Sequence, residues 1–284
     1  MIPAKQAIDD IKSGFVLPSP PTLVVQVQEI CRSGQQDLTQ LADLVSQDIG
    51  LSAAILKAIN SPAYGMNRQI SDARQAVMFL GFPTASSLVS SLLIQQSFGK
   101  KSAINFERFW DNSRQIADAM VYIGQAIDDK IPLESLYTAG LFHDCGIAAM
   151  SIRFHDTYLD CLREANSSDT KNLMQVEDSF YNTSHPIVGY LIANSWNLPK
   201  EVCKVILGHH DPDFFNFNKD LSENLVMSTL KLAENIVEQA NRHRDCVGWD
   251  EHKEVYFDQL GLTESDYLDL LDDLHQIWDE AVVA

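Results

Sequence analysis

Apolar residues recur at helical spacing through nearly the whole chain, and prolines, glycines and capping side chains break that pattern into segments. Leu23, Val24, Val27, Ile30 and Cys31 fall on one helical face, because side chains three and four apart share a face. Leu17-Pro18-Ser19-Pro20-Pro21 precedes them, and prolines just before a helix set its start without removing internal hydrogen bonds. Asp37 is placed to cap a second helix whose stripe is Leu38, Leu41, Leu44 and Val45. A third is expected over 52–60, ending at Asn60-Ser61-Pro62 because the residue before proline avoids the helical region. Another runs over 71–80 to Gly81, and Pro83 opens a long apolar helix to about Phe98. Beyond it, 106–127 reads as one amphipathic helix, with further helices at 158–164, 174–181, 185–196, 200–209 and 223–241 and an acidic amphipathic tail from Thr263. Hairpin signals, a glycine-rich phosphate loop and internal repeats are absent. The expected fold class is all-α.

At 284 residues the chain can bury a substantial core and hold one or two domains. Gly99-Lys100-Lys101-Ser102 is the best linker, which divides the chain into an N-terminal helical lobe, 1–102, and a second helical lobe, 103–284. A net charge of −18 argues against a broad nucleic-acid surface, since phosphate binding needs clustered Lys and Arg. It equally opposes electrostatic docking on anionic membranes. No apolar run approaches the roughly 20 residues that span a bilayer, and the first residues carry Asp9 and Asp10 with no apolar signal core; the expected location is the cytoplasm. Cys31, Cys145, Cys161, Cys203 and Cys246 are widely spaced and odd in number, so they read as reduced thiols.

Ligand-type residues cluster three times within about 70 residues: His143-Asp144 in Gly140-Leu141-Phe142-His143-Asp144-Cys145-Gly146, then His185 before Pro186, then His209-His210-Asp211. Neighbouring residues on a helix point about 100° apart, but at a helix end the backbone can turn both His143 and Asp144 toward one cavity. Each cluster has an ordinary alternative: a capping Asp beside a partly buried His, a helix-start residue packing locally, and a His at the negative end of a helix dipole. One metal site explains all three together. Imidazole and carboxylate suit iron, manganese, zinc or nickel. His155, His243, His252 and His275 lie in polar or acidic surroundings and read as surface residues, and Cys145 as a small apolar filler.

With these residues in view, the chain resembles the HDOD family, a helical output domain related to the HD phosphohydrolases. The likeness rests on Leu17 to Pro21, Leu38 to Val45, Ser46-Gln47-Asp48, Leu51-Ser52, Ile59-Asn60-Ser61-Pro62-Ala63-Tyr64-Gly65, Ile70-Ser71 through Leu80-Gly81, Phe109-Trp110, the His143-Asp144 run, His185 to Gly189, Trp196 to Pro199 and His209-His210. It spans about residues 15 to 215. The resemblance implies an HD-domain-like helical bundle with an N-terminal helical lobe. Against the two-metal pattern of the related HD-GYP phosphodiesterases, His143, Asp144, His185, His209 and His210 are kept. Asn112 stands where a His is usual, and Glu234 where an Asp is usual. One metal would use Asp144, His185, His209 and His210; the other would need His143 with Asn112 and Glu234. The Lys common three residues after the Asp of the His-Asp pair is Ile147 here, and no Gly-Tyr-Pro follows His210.

What the resemblance implies about function is bacterial signal transduction through protein contacts, with no attached receiver, kinase or cyclase, so that input comes from a separate protein partner. The apolar, His-free N-terminal half can offer helix-in-groove contacts, or serve merely as the second wall of one core. The alternatives are a metal-dependent phosphohydrolase acting on a nucleotide or other phosphoester, where one metal still lowers the pKa of bound water, and a purely structural metal in a binding protein. The expected cofactor is one divalent transition metal. The phosphate chemistry argues against turnover, since the sequence provides no evident cation for the developing charge.

Overall fold

The structure is a computed structural model, and it describes residues 22–32, 37–61, 69–98, 102–127, 131–167, 172–196, 198–218 and 220–283. The proline-rich entry at 17–21 and the segment 99–101 of the expected linker lie outside the described residues. Among those described, every regular element is helical and no strand occurs. In chain order they are α1 (Thr22–Arg32), α2 (Leu38–Gln47), α3 (Ile49–Ile59), α4 (Ala73–Ser97), α5 (Phe106–Ala126), α6 (Leu133–Phe142), α7 (Cys145–Arg153), α8 (Tyr158–Ser167), α9 (Leu173–Tyr181), α10 (His185–Ser195), α11 (Lys200–Gly208), α12 (Phe214–Phe217), α13 (Leu221–Arg242), α14 (Trp249–Leu260) and α15 (Glu264–Val283).

Capping side chains start the early helices, at Asp37 as expected and also at Asp48 and Asp72, the third helix beginning at Ile49 rather than 52. Asp37 accepts from the Gln40 amide, Asp48 from Leu51 and Asp72 from Gln75, each satisfying an orphan donor of a first turn. Two expected helices, before and after Gly81, are joined across a kink. Gly81 has φ 73°, and Pro83 follows it inside α4. A left-handed φ suits glycine, and proline in the first turn of the continuing helix needs no amide partner. At 25 residues α4 is long and apolar enough to cross a membrane by length and composition, which corrects the expectation that no run approaches that length. In this fold it is instead a core element: α1, α2, α3 and α6 all pack against it. The helix over 249–260 has no counterpart in the sequence reading; Gly248 and Gly261, both at positive φ, bound it.

The helices that hold the cluster described below pack by close approach. α5 packs against α6 and α13, and α10 packs against α7 and α11. Gly146 sits in the first turn of α7. A Cβ there would come within 1.9 Å of the His185 carbonyl oxygen. Glycine at 146 is therefore what lets the starts of α7 and α10 touch, and it brings Asp144 beside His185.

Candidate metal centre

The cluster is assembled from helix ends. His143 closes α6 and Asp144 opens α7, with φ −50° and −102° respectively. The chain turns between two helices there, and that turn aims both side chains at one point. His185 is the first residue of α10, and His209 closes α11. His210 follows, exposed at the rim. Donor atoms from Asp144, His185, His209 and His210 all lie within 4.8 Å of one another.

Three imidazoles share one arrangement. His143 Nδ1–H donates to the Gly140 carbonyl at 2.8 Å, and His209 Nδ1–H donates to the Ile206 carbonyl at 2.8 Å. His185 Nδ1–H donates to Glu177 Oε2 at 2.6 Å, and the His185 backbone amide donates to the same oxygen at 2.8 Å. A carbonyl or carboxylate only accepts, so each Nδ1 carries its proton, and wherever the ring is neutral its Nε2 lone pair points inward. All three Nε2 atoms converge on the Asp144 carboxylate: His209 at 3.2 Å and His185 at 3.5 Å from Oδ1, and His143 at 3.4 Å from Oδ2. Lone pairs facing a carboxylate repel unless a cation lies among them. His185 Nε2 is buried without a hydrogen-bond partner, a costly state for a polar atom. These residues fit a metal ion. Asp144, His185, His209 and His210 would hold it through Oδ1 and imidazole nitrogens, and a divalent ion bound there would act as a Lewis acid and lower the pKa of a coordinated water.

Asp144 has two sides. Oδ1 faces His185 and His209, and Oδ2 faces His143. Beyond His143, its Nε2 is 3.6 Å from Glu234 Oε1. Burial works against a charge on His143, but the Asp144 carboxylate outweighs it and, with Glu234, raises the imidazole to about 9. For Asp144, burial opposes ionisation and the charge of His143 overrides it, so the carboxyl stays well below its usual range. His209 moves the other way, since burial lowers it more than Asp144 raises it. A neutral His209 beside an ionised Asp144 is the protonation pattern a metal ligand set needs.

His143, Asp144, His185, His209 and His210 come together, and Glu234 reaches the His143 side from the middle of α13. Asn112 does not join them. It is exposed on α5, its carbonyl accepting from Asn241 at 3.5 Å, about two helical turns beyond Glu234 on α13. Cys145 is no ligand: it is buried, its thiol faces the Gly189 carbonyl, and burial pushes its ionisation far up. His243 is exposed, as read from the sequence, but His155, His252 and His275 are half-buried. His252 accepts no role in the cluster; its Nδ1–H donates to the Gly248 carbonyl.

Two functional residues escaped the sequence reading. Glu177 is fully buried on α9, where it receives both His185 hydrogen bonds and one from the Tyr158 hydroxyl. A carboxylate behind a ligand imidazole fixes its tautomer and raises its basicity. The available signal was an acid on the apolar face of α9, next to Val176. Lys231, one turn before Glu234, donates to Glu234 Oε2 at 2.7 Å. The expectation that the sequence provides no cation near the cluster is thus corrected. Lys231, Glu234, His209, His210, Trp249 and Tyr256 line a recess of about 200 Å³ that opens beside the cluster.

The HDOD domain family matches residues 17–212. An uncharacterized protein from Treponema pallidum (strain Nichols) is 23% identical over 208 residues, which cover 72% of this chain and 38% of that relative; the chain spans well under half its length. Among solved structures, an HDOD domain protein of unknown function from Geobacter sulfurreducens superposes with a TM-score of 0.73 at 23% identity, covering 98% of this chain and 94% of that one. A candidate metal-dependent phosphohydrolase from Shewanella amazonensis SB2B gives 0.67 at 18% identity, covering 96% and 98%. A candidate signal transduction protein from Marinobacter aquaeolei VT8 gives 0.70 at 17% identity, covering 98% and 63%. At these identities the structural likeness establishes the fold alone.

Proposed function

Because the chain belongs to the HDOD family, we propose that it is a regulatory domain of signal transduction that acts by binding a protein partner, without catalysis, and holds one divalent transition-metal ion. The observation that carries the metal is the convergence of inward-facing Nε2 atoms on Asp144, with His185 Nε2 buried and unpartnered. The ligand set is complete on the Oδ1 side only. On the other side Asn112 supplies no ligand, Glu234 is already paired with Lys231, and Ile147 stands where a phosphate-meeting Lys would be. In the role proposed, the ion ties together the ends of α7, α10 and α11 and so fixes the surface those helices present. The N-terminal lobe, 1–102, is the proposed partner-binding half. The reading places the protein in the cytoplasm, in keeping with four free cysteines among the described residues.

A second reading, a metal-dependent phosphohydrolase acting on a nucleotide or other phosphoester, is favoured by one observation: His210 is exposed and the recess beside it contains the Lys231 ammonium. That gives an accessible coordination position next to a cation able to meet phosphate charge. The test is metal content by mass spectrometry on wild type and His185→Ala, with hydrolysis of a generic phosphodiester and of cyclic dinucleotides measured on the same samples. One ion per wild-type chain, loss of that ion in His185→Ala and no turnover are expected. Robust metal-dependent turnover would replace the first reading with the second.

A further inference from the structure

The two sides of Asp144 differ in the charge that already faces them. On the Oδ1 side the donor groups besides Asp144 are imidazoles; the charge of Lys231 is felt at His209 and His210, but its ammonium pairs with Glu234. On the Oδ2 side Glu234 has a cation of its own. Lys231 Nζ lies 2.7 Å from Glu234 Oε2, while Oε1 turns toward His143 at 3.6 Å. The two side chains are only 18% and 17% exposed. A charge held that far from water needs a partner, so the ammonium cannot release Glu234 to a metal without losing the group that neutralises it. An ion at His143, Asp144 Oδ2 and Glu234 would also set two positive charges beside Lys231, with little water to screen them. The spacing favours the existing pair: residues three apart on a helix are neighbours, so Lys231 reaches Glu234 without any rearrangement of α13.

Resting on the one-metal reading of the Oδ1 side, we propose that Lys231 is a tethered counter-cation, which holds Glu234 and thereby keeps a second divalent ion off the His143 side. The chain carries its second positive charge on a side chain, and the cluster is built for one ion. Burial opposes both charges of the pair, yet each holds the other in its ionised form, with Lys231 raised and Glu234 lowered from their ordinary values.

Equilibrium dialysis against Mn²⁺, with paramagnetic resonance of the bound ion, tests this on the full chain. Wild type and Lys231→Arg should each bind one ion and give an uncoupled signal. Lys231→Met should bind a second ion, with the broadened signal of two coupled Mn²⁺ centres, and adding His143→Ala to it should return the count to one. If Lys231→Met does not fold by circular dichroism, Lys231→Gln carries the same expectation, since it keeps a donor to Glu234 without the charge. A folded, uncharged variant that still binds a single ion overturns the proposal. Wild type binding no ion defeats the one-metal reading separately. In that case an ion gained by Lys231→Met and lost again with His143→Ala supports the tethered cation, and no gain refutes it.

Discussion

The helices up to Phe98 and those from Phe106 onward bury different chemistry. Among the described residues of the first group, the interior is Val27, Leu41, Val45, Leu51, Ile55, Ile59, Leu88 and their apolar neighbours, and the buried polar residues are Ser86 and Ser91. In the second group the buried set includes His143, Glu177, His185, His209, Glu223 and Asn235. An apolar interior gains stability from every group it removes from water. A polar interior is retained only where each charge is paired, and several of these pairs end in atoms aimed at a single point. The interior of the first region is therefore organised for stability, and the second accepts the cost of buried polarity that assembles the candidate site.

Mutations should separate the two regions, and the largest effect is expected at Glu177. Glu177→Ala leaves His185 Nδ1, the His185 amide and the Tyr158 hydroxyl without their acceptor. Breaking a buried charged network costs about 3–5 kcal/mol, and metal affinity should fall with it by roughly 10–100-fold. Chemical denaturation and metal titration of one sample measure both. Ile55→Ala, in the apolar region and fully buried, should lose about 3 kcal/mol from the missing methylenes and the cavity while metal affinity stays at wild type. A fall in affinity there would show that the two regions are coupled.

The pH dependence sharpens the contrast. In metal-free protein His143 is raised from 6.5 to about 9. A group whose folded value exceeds its unfolded one stabilises fully below the unfolded value, and that stability is lost as pH rises through the folded value. Stability should thus decline between pH 6.5 and 9 by on the order of 2 kcal/mol, and His143→Gln should flatten the decline. Melting temperatures across that range decide it; a wild-type curve as flat as that of the variant would exclude the charged His143–Asp144 pair. The smallest effect is expected for Arg74→Ala. Arg74 meets Asp43 at 2.5 Å with both side chains about half exposed, and exposed ion pairs contribute roughly 0–1 kcal/mol. A loss well above that would give the apolar region an electrostatic component it otherwise lacks.

Much of the molecule was legible before any coordinates. Asp37 before Leu38, Leu41 and Val45 announces a capped amphipathic helix, and local chemistry is enough to build it. The His143-Asp144, His185 and His209-His210 clusters announce ligands by residue type. Glu177 and Lys231 were not legible in the same way. An acid on α9 and a lysine on α13 look like ordinary helix residues until packing buries them, and nothing local shows that one lies behind His185 or that the other takes up Glu234. The Asn112 expectation failed for a related reason. Position along a sequence pattern gives the helix but not its rotation, and α5 turns that side chain to Asn241. The break at Gly81 and Pro83 was legible as well: the backbone is non-helical at Gly81, so the two helices expected there meet at a kink.

The sequence by itself determined that this chain is helical, where many of its helices start, and which imidazoles and carboxylate are available to a metal, because periodicity, capping and ligand chemistry act over a few residues. The tertiary structure decided what faces each side of Asp144. That arrangement depends on where Nε2 lone pairs point, on the Gly146–His185 approach, and on a lysine that reaches its counter-ion only once α13 is buried. All three are set by packing between helices distant in the chain.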